Sequence, residues 1–137
     1  MMSAKPQFPL EQSADGEFQR QADQFRRWVT ADGSSGYPAT PHRYHLYVSW
    51  ACPWAHRTII VRRLKGLEDV IGLTAVDPIR DERGWAFREG PGHSKDPVNG
   101  FDYLADAYRI SDPSYRGGVT VPVLYADGDA GLGRVLR

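Results

Sequence analysis

The chain has 137 residues, room for one compact domain of the usual roughly 100–150 residues and too few for two. Seventeen basic residues balance seventeen acidic ones, so no overall field draws the chain to nucleic acid or to an anionic membrane surface. Its 41% apolar and 25% charged residues suit a water-soluble globular protein, and no stretch reaches the roughly 18 apolar residues that a membrane helix needs.

The amino terminus, Met1-Met2-Ser3-Ala4-Lys5-Pro6, lacks the apolar core of a secretory signal, so the cytoplasm is the expected compartment. Residues 1–42 read as an extension carrying one short helix. Residues 1–16 form an extended arm, and Phe18, Ala22, Phe25 and Trp28 recur at helical spacing over Glu17–Trp28 before Asp32-Gly33-Ser34-Ser35-Gly36 ends the run. Arg43–Ser49 is β-branched and aromatic and predicts a strand.

Pro53 suits the first turn of a helix because no amide hydrogen is wasted there, which puts Cys52 at or near the N-cap. Ile60, Val61, Leu64 and Leu67 supply the expected inward stripe, and Lys65-Gly66 the stop. Val70–Val76 predicts a second strand, so strand, helix and strand make a parallel βαβ unit with a right-handed crossover. Residues 77–100 are rich in glycine, proline and charge, a long irregular excursion of the kind usually kept for function. A short helix is expected over Asp102–Ile110. The run Val119–Tyr125 reads as a strand whose Pro122 belongs at a sheet edge or in a special bend. Residues 126–134 read as a turn-rich tail. With no clear final helix, one face of the sheet is expected to stay uncovered and apolar.

Cys52 is the one cysteine, so no internal disulfide forms and a reducing compartment fits. A thiol attacks as thiolate, and a free cysteine ionises near pH 8.5, so a working thiol needs a positive field. The head of a helix provides one, and Arg57 lies one turn further on. Ala55 stands where a dithiol enzyme carries its second cysteine, so a mixed disulfide on Cys52 requires an outside thiol to resolve it. The competing reading is a buried structural cysteine, since free Cys is among the most buried residue types. Val121-Pro122 carries two readings of its own. A cis bond there would free the Val121 amide and carbonyl for a peptide-like ligand, whereas a trans bond leaves an ordinary edge strand. His42, His45, Cys52 and His56 lie close in sequence, but strand alternation turns His45 away from the thiol, and no metal site is expected. Arg57, Arg62, Arg63 and Lys65 read as a solvated helix face.

Six stretches together resemble the glutathionyl-hydroquinone reductases, the Xi class of glutathione transferases. They are Tyr44-His45-Leu46-Tyr47-Val48-Ser49, Ala51-Cys52-Pro53-Trp54-Ala55-His56-Arg57, Lys65-Gly66-Leu67-Glu68, Gly84-Trp85 with Phe87, Gly100-Phe101-Asp102-Tyr103-Leu104, and Val119-Thr120-Val121-Pro122-Val123-Leu124. The resemblance covers roughly residues 35–125. It implies an α/β, thioredoxin-like glutathione-binding domain over residues 43–137, incomplete at its end, with the all-helical domain of the family absent. It further implies that Cys52 takes the glutathionyl group from a glutathionyl-hydroquinone and that a second glutathione regenerates it. Trp85 is implied to pack on glutathione, and Val121, ahead of Pro122, to pair with its cysteinyl backbone. The family's homodimers are implied for full-length relatives. This sequence departs from the family pattern at Gly118, where an arginine is usual and Arg116 stands two residues before. It departs again at Gly131–Arg137, which has no Glu-Ser pair. Fourteen of the seventeen basic residues are arginine, as in proteins of G+C-rich genomes, so another low-molecular-weight thiol is an alternative to glutathione. Two further readings stand beside the reductase: a non-catalytic fragment of such an enzyme, and a glutaredoxin-like thiol transferase.

Overall fold

In the computed structural model, which describes residues 12–128 and 133–136, Tyr44–Val48 forms strand β1 and is buried at all five positions. Burial on both faces makes β1 an inner strand. It pairs in parallel with β2, Ile71–Ala75, and antiparallel with β3, Val123–Ala126. The connection from β1 to β2 is helix α1, Pro53–Leu64, as the βαβ reading requires. A second helix, α2, spans Leu104–Ser111. The sheet order is completed by β4, Arg134–Leu136, giving β2-β1-β3-β4.

Strand alternation sends successive side chains to opposite faces and so builds two cores. On one face Leu46, Val48 and Ala75 pack with Ala55 and Ile59 of α1. On the other, Tyr47, Val123, Tyr125 and Val135 pack with Leu104, Ala107 and Tyr108 of α2. The result is an α/β/α sandwich with the mixed sheet and the βαβ start of a thioredoxin-like domain.

Three expectations need correction, and a fourth that carried two alternatives is decided. Among the described residues, none between 12 and 43 is helical; turns and isolated bridges such as Gln12 with Phe18 and Thr30 with Pro38 replace the short helix expected over Glu17–Trp28. A helix of that length gains stability mainly by burying its stripe, and here Phe18 and Trp28 are 70% and 76% exposed. The extended form instead lets Phe25 reach the rings of Tyr108 and Tyr115, at 5.4 and 5.1 Å.

The inward stripe of α1 is also different, because Ile60, Val61 and Leu64 are exposed and the helix packs through Ala55 and Ile59. Successive residues turn about 100° around a helix, so facing the sheet with Ala55 and Ile59 turns Ile60, Val61 and Leu64 outward. Of the two places open to Pro122, it takes the special bend and not the sheet edge. The Val121–Pro122 bond is cis, β3 begins only at Val123, and β3 lies between β1 and β4. Finally, Arg134–Leu136 is a strand, paired to β3 through Leu124 with Leu136 and Tyr125 with Val135. The remainder of the turn-rich reading, at residues 129–132, lies outside the described residues, as do residues 1–11 of the arm.

The excursion at 77–100 is irregular but well tethered. Tyr47 Oη donates to Asp96 Oδ2 at 2.9 Å, and Asp96 also accepts from the amides of Val98 and Phe101. Arg88 pairs with Asp81, and the Tyr103 hydroxyl donates to the same carboxylate.

Candidate active site

Cys52 occupies the N-cap of α1 with extended dihedrals, and Pro53 opens the helix behind it. Backbone bonds hold it: its amide donates to Ser49 O at 3.1 Å, and its carbonyl accepts from His56 N at 3.3 Å. The side chain makes no cap bond and is half-buried. It faces across to the segment ahead of β3, where Sγ lies 3.6 Å from the Val121 carbonyl oxygen. Thus the helix head and the Val121-Pro122 bend, 69 residues apart in sequence, meet at the thiol.

A cavity of about 290 Å³ opens beside Cys52. Its floor is Cys52, Pro53, Thr120 and Val121, and one wall is Tyr115 with Gly118. Thr120 Oγ1 is buried and has no hydrogen-bond partner among the described residues. The opposite wall comes from the arm, including Phe18, Arg20 and Gln21. Gln21 Oε1 accepts from the Gly118 amide at 3.3 Å, which ties that wall to the β3 side. Arg20 and Arg57 both lie over the exposed Trp54 indole, at 4.7 and 5.7 Å from the ring centroid.

Of the site residues read from sequence, Cys52, Val121 and Pro122 come together. The fourth is Trp85. It is 9% exposed, packs in the same apolar core as Val121, carries Arg80 over its ring at 4.9 Å, and does not line the Cys52 cavity. Arg116 turns back on its own loop, donating to the carbonyls of Pro113 and Tyr115. His45 bonds Thr74 at 2.7 Å, and its ring lies 5.0 Å from that of Tyr47, on the side away from α1. No cluster of metal-ligating side chains exists among the described residues. Nor is any described helix long and apolar enough to cross a membrane. Arg62, read as part of a solvated face, in fact ties α1 to β2 by donating to Ile71 O and Glu68 O. The arm wall was missed because the helical spacing of Phe18, Ala22, Phe25 and Trp28 pointed to a helix, whereas the ring contacts of Phe25 and the bond of Gln21 to the Gly118 amide hold the segment in a non-helical form.

A helix-head thiol facing a cis X-Pro bend, within an α/β/α layer, defines the thioredoxin-like class of thiol-binding domains. The family model described as glutathione S-transferase, N-terminal domain, matches residues 51–136, and the chain belongs to that family. It is similar to the glutathionyl-hydroquinone reductase YqjG of Escherichia coli, 49% identical over 120 residues, with 82% of this chain and 37% of the relative covered. It also resembles the glutathionyl-hydroquinone reductase PcpF of Sphingobium chlorophenolicum, at 44% identity over 82% of this chain and 35% of the relative. Among solved structures, the Xi glutathione S-transferase of Phanerochaete chrysosporium superposes with a TM-score of 0.82 at 43% identity, covering 92% of this chain and 40% of that one. The glutathione-bound structure of YqjG gives 0.76 at 43% identity, covering 85% and 39%. The chain therefore spans little more than a third of the length of the curated relatives it matches.

Proposed function

We propose that this chain provides the thiol half of a glutathione-dependent reductase of glutathionyl-hydroquinones, with Cys52 as nucleophile. The observation that carries the reading is the Cys52 thiol at the head of α1, 3.6 Å from the Val121 carbonyl and open to a cavity. In the first step the Cys52 thiolate attacks the sulfur of the glutathionyl-hydroquinone. The sulfur–ring bond breaks, the ring carbon takes a proton, and the hydroquinone leaves while a Cys52–glutathione disulfide forms. A second glutathione, as thiolate, attacks the glutathione sulfur of that disulfide. Cys52 is released and glutathione disulfide departs. With Ala55 three residues on, Cys52 has no neighbour to resolve the intermediate, which supports a one-thiol cycle.

In this reading residues 43–137 form the glutathione-binding unit and residues 1–42 an extension. Val121, held by Pro122, offers its backbone to the cysteinyl part of glutathione, and Trp85 supports the pocket from the core. The glutathione-bound state of the similar YqjG structure supports glutathione as the co-substrate. Incubating the chain with glutathione disulfide and weighing it by mass spectrometry tests the nucleophile. One glutathionyl group is expected on the wild type and none on Cys52→Ser, and an unmodified wild type would sink the proposal. Turnover of a glutathionyl-hydroquinone to free hydroquinone separates the reductase from a glutaredoxin-like transferase, which would reduce small mixed disulfides only.

A further inference from the structure

We propose that Arg20, on the arm ahead of the sheet, is a binding residue for a carboxylate of the thiol co-substrate; the inference rests on the glutathione reading above. Among the described residues lining the Cys52 cavity, Arg20 carries the one basic side chain. Gly118, across the cavity, offers no side chain, and Arg116 is turned away onto the carbonyls of Pro113 and Tyr115. An anionic ligand seated against Cys52 thus meets positive charge from the arm.

The arm is held in place for this. Gln21, next to Arg20, accepts from the Gly118 amide, and Phe25 is wedged against Tyr108 and Tyr115. The guanidinium itself rests 4.7 Å from the centroid of Trp54, two residues from Cys52. A guanidinium attracted to a ring through its charge keeps N–H donors for a second partner. A planar fork of N–H donors matches a carboxylate, and a tripeptide thiol brings carboxylates to whichever enzyme binds its sulfur. Asp23 lines the same cavity and puts a negative charge on the arm near Arg20, so the attraction for an anion is confined to the guanidinium itself.

The test compares two disulfides on the full chain. Cys52 attacks either one, forming a mixed disulfide and expelling the other half as thiolate, and the rate is followed by mass spectrometry. One substrate is glutathione disulfide; the other is neutral bis(2-hydroxyethyl) disulfide. Arg20→Gln is expected to slow the reaction with glutathione disulfide about tenfold, as loss of a charge-assisted hydrogen bond does, and to change the neutral reaction less than about twofold. Arg20→Lys, which keeps the charge without the fork, falls between. Because Arg20 is exposed, circular dichroism should show the same fold for all three. Equal slowing on both disulfides, meaning that Arg20 acts on the thiol, or no slowing with glutathione disulfide, overturns this assignment alone. A wild-type Cys52 that reacts with the neutral disulfide but not with glutathione disulfide overturns the glutathione reading and this one with it. Failure with both removes Cys52 as nucleophile.

Discussion

Gly72 stands opposite His45 in the parallel pair of β1 and β2, and the imidazole lies across the space where a side chain would be. A Cβ at Gly72 would come 2.5 Å from His45 Nδ1 and 2.8 Å from Cε1. His45 has little room to yield, being buried and bonded to Thr74 Oγ1. Gly72→Ala should therefore destabilise the fold by about 1–3 kcal/mol, the usual cost of overpacking, read as a lower urea midpoint at unchanged slope. An unchanged midpoint would mean that β2 shifts freely against β1. The side on which His45 points was readable in sequence from strand alternation, but the glycine that accommodates it was not. The βαβ reading put β2 parallel to β1, but nothing in Ile71-Gly72-Leu73 announces the register that sets Gly72 against His45. Cys52 is the opposite case. Its place at a helix head follows from Pro53 alone, a local rule, so the thiol could be placed before any contact was known.

At the level of elements, the excursion between β2 and α2 is tethered by two carboxylates, Asp96 and Asp81, and the second carries a charge-dependent contribution. Burial opposes ionisation of Asp81, but bonds from the Arg83 amide, the Tyr103 hydroxyl and the Arg88 guanidinium outweigh it and bring its carboxyl down to about 2. Arg88 also reaches Asp77 at 3.6 Å, so the base of the excursion is cross-linked on both sides of Trp85 and Phe87. A carboxyl whose folded value is depressed from 3.8 to about 2 stabilises the fold fully above the unfolded value. That contribution is lost as pH falls from about 4 towards 2. The urea midpoint of the wild type should hence fall more steeply over this window than that of Asp81→Asn, the two converging at the acid end. Parallel curves would show that the cluster contributes nothing. Sequence marked this segment as long and irregular but could not show its anchoring, since Asp81, Arg88 and Tyr103 are scattered over 22 positions. Helix α1 is instructive in the other direction. Its start and stop obey local signals, whereas its buried face was misjudged by a rotation, because Ile60, Val61 and Leu64 are as apolar as Ile59 and only the sheet decides which of them faces inward.

That rotation shapes the whole molecule. The face of the sheet under α2 is closed by the aromatic core of Tyr47, Phe87, Tyr108 and Tyr125, while the face under α1 is covered only in part. Between α1 and the sheet runs a groove of about 700 Å³, lined by Leu46, Trp54, Val61, Ile71 and Leu124, and Leu64 stands 79% exposed on the same helix. The uncovered apolar face anticipated from the sequence is therefore present, although β4 closes the sheet at the end where only turns were foreseen. Contiguous apolar surface of this kind binds amphipathic dyes and promotes association. The chain should enhance the fluorescence of anilinonaphthalene sulfonate in its native state, before any denaturant is added. Val61→Lys together with Leu64→Lys should reduce that signal about twofold or more, because lysine stems leave a charge at the mouth of the groove. Since both side chains are largely in water already, the urea midpoint should correspond to a stability within about 0.5 kcal/mol of the wild type. Dye binding that persists in the double variant would place the exposed apolar surface elsewhere. A collapse in stability would mean that Val61 and Leu64 are packed in solution, and that α1 turns its apolar stripe inward as its sequence alone suggests.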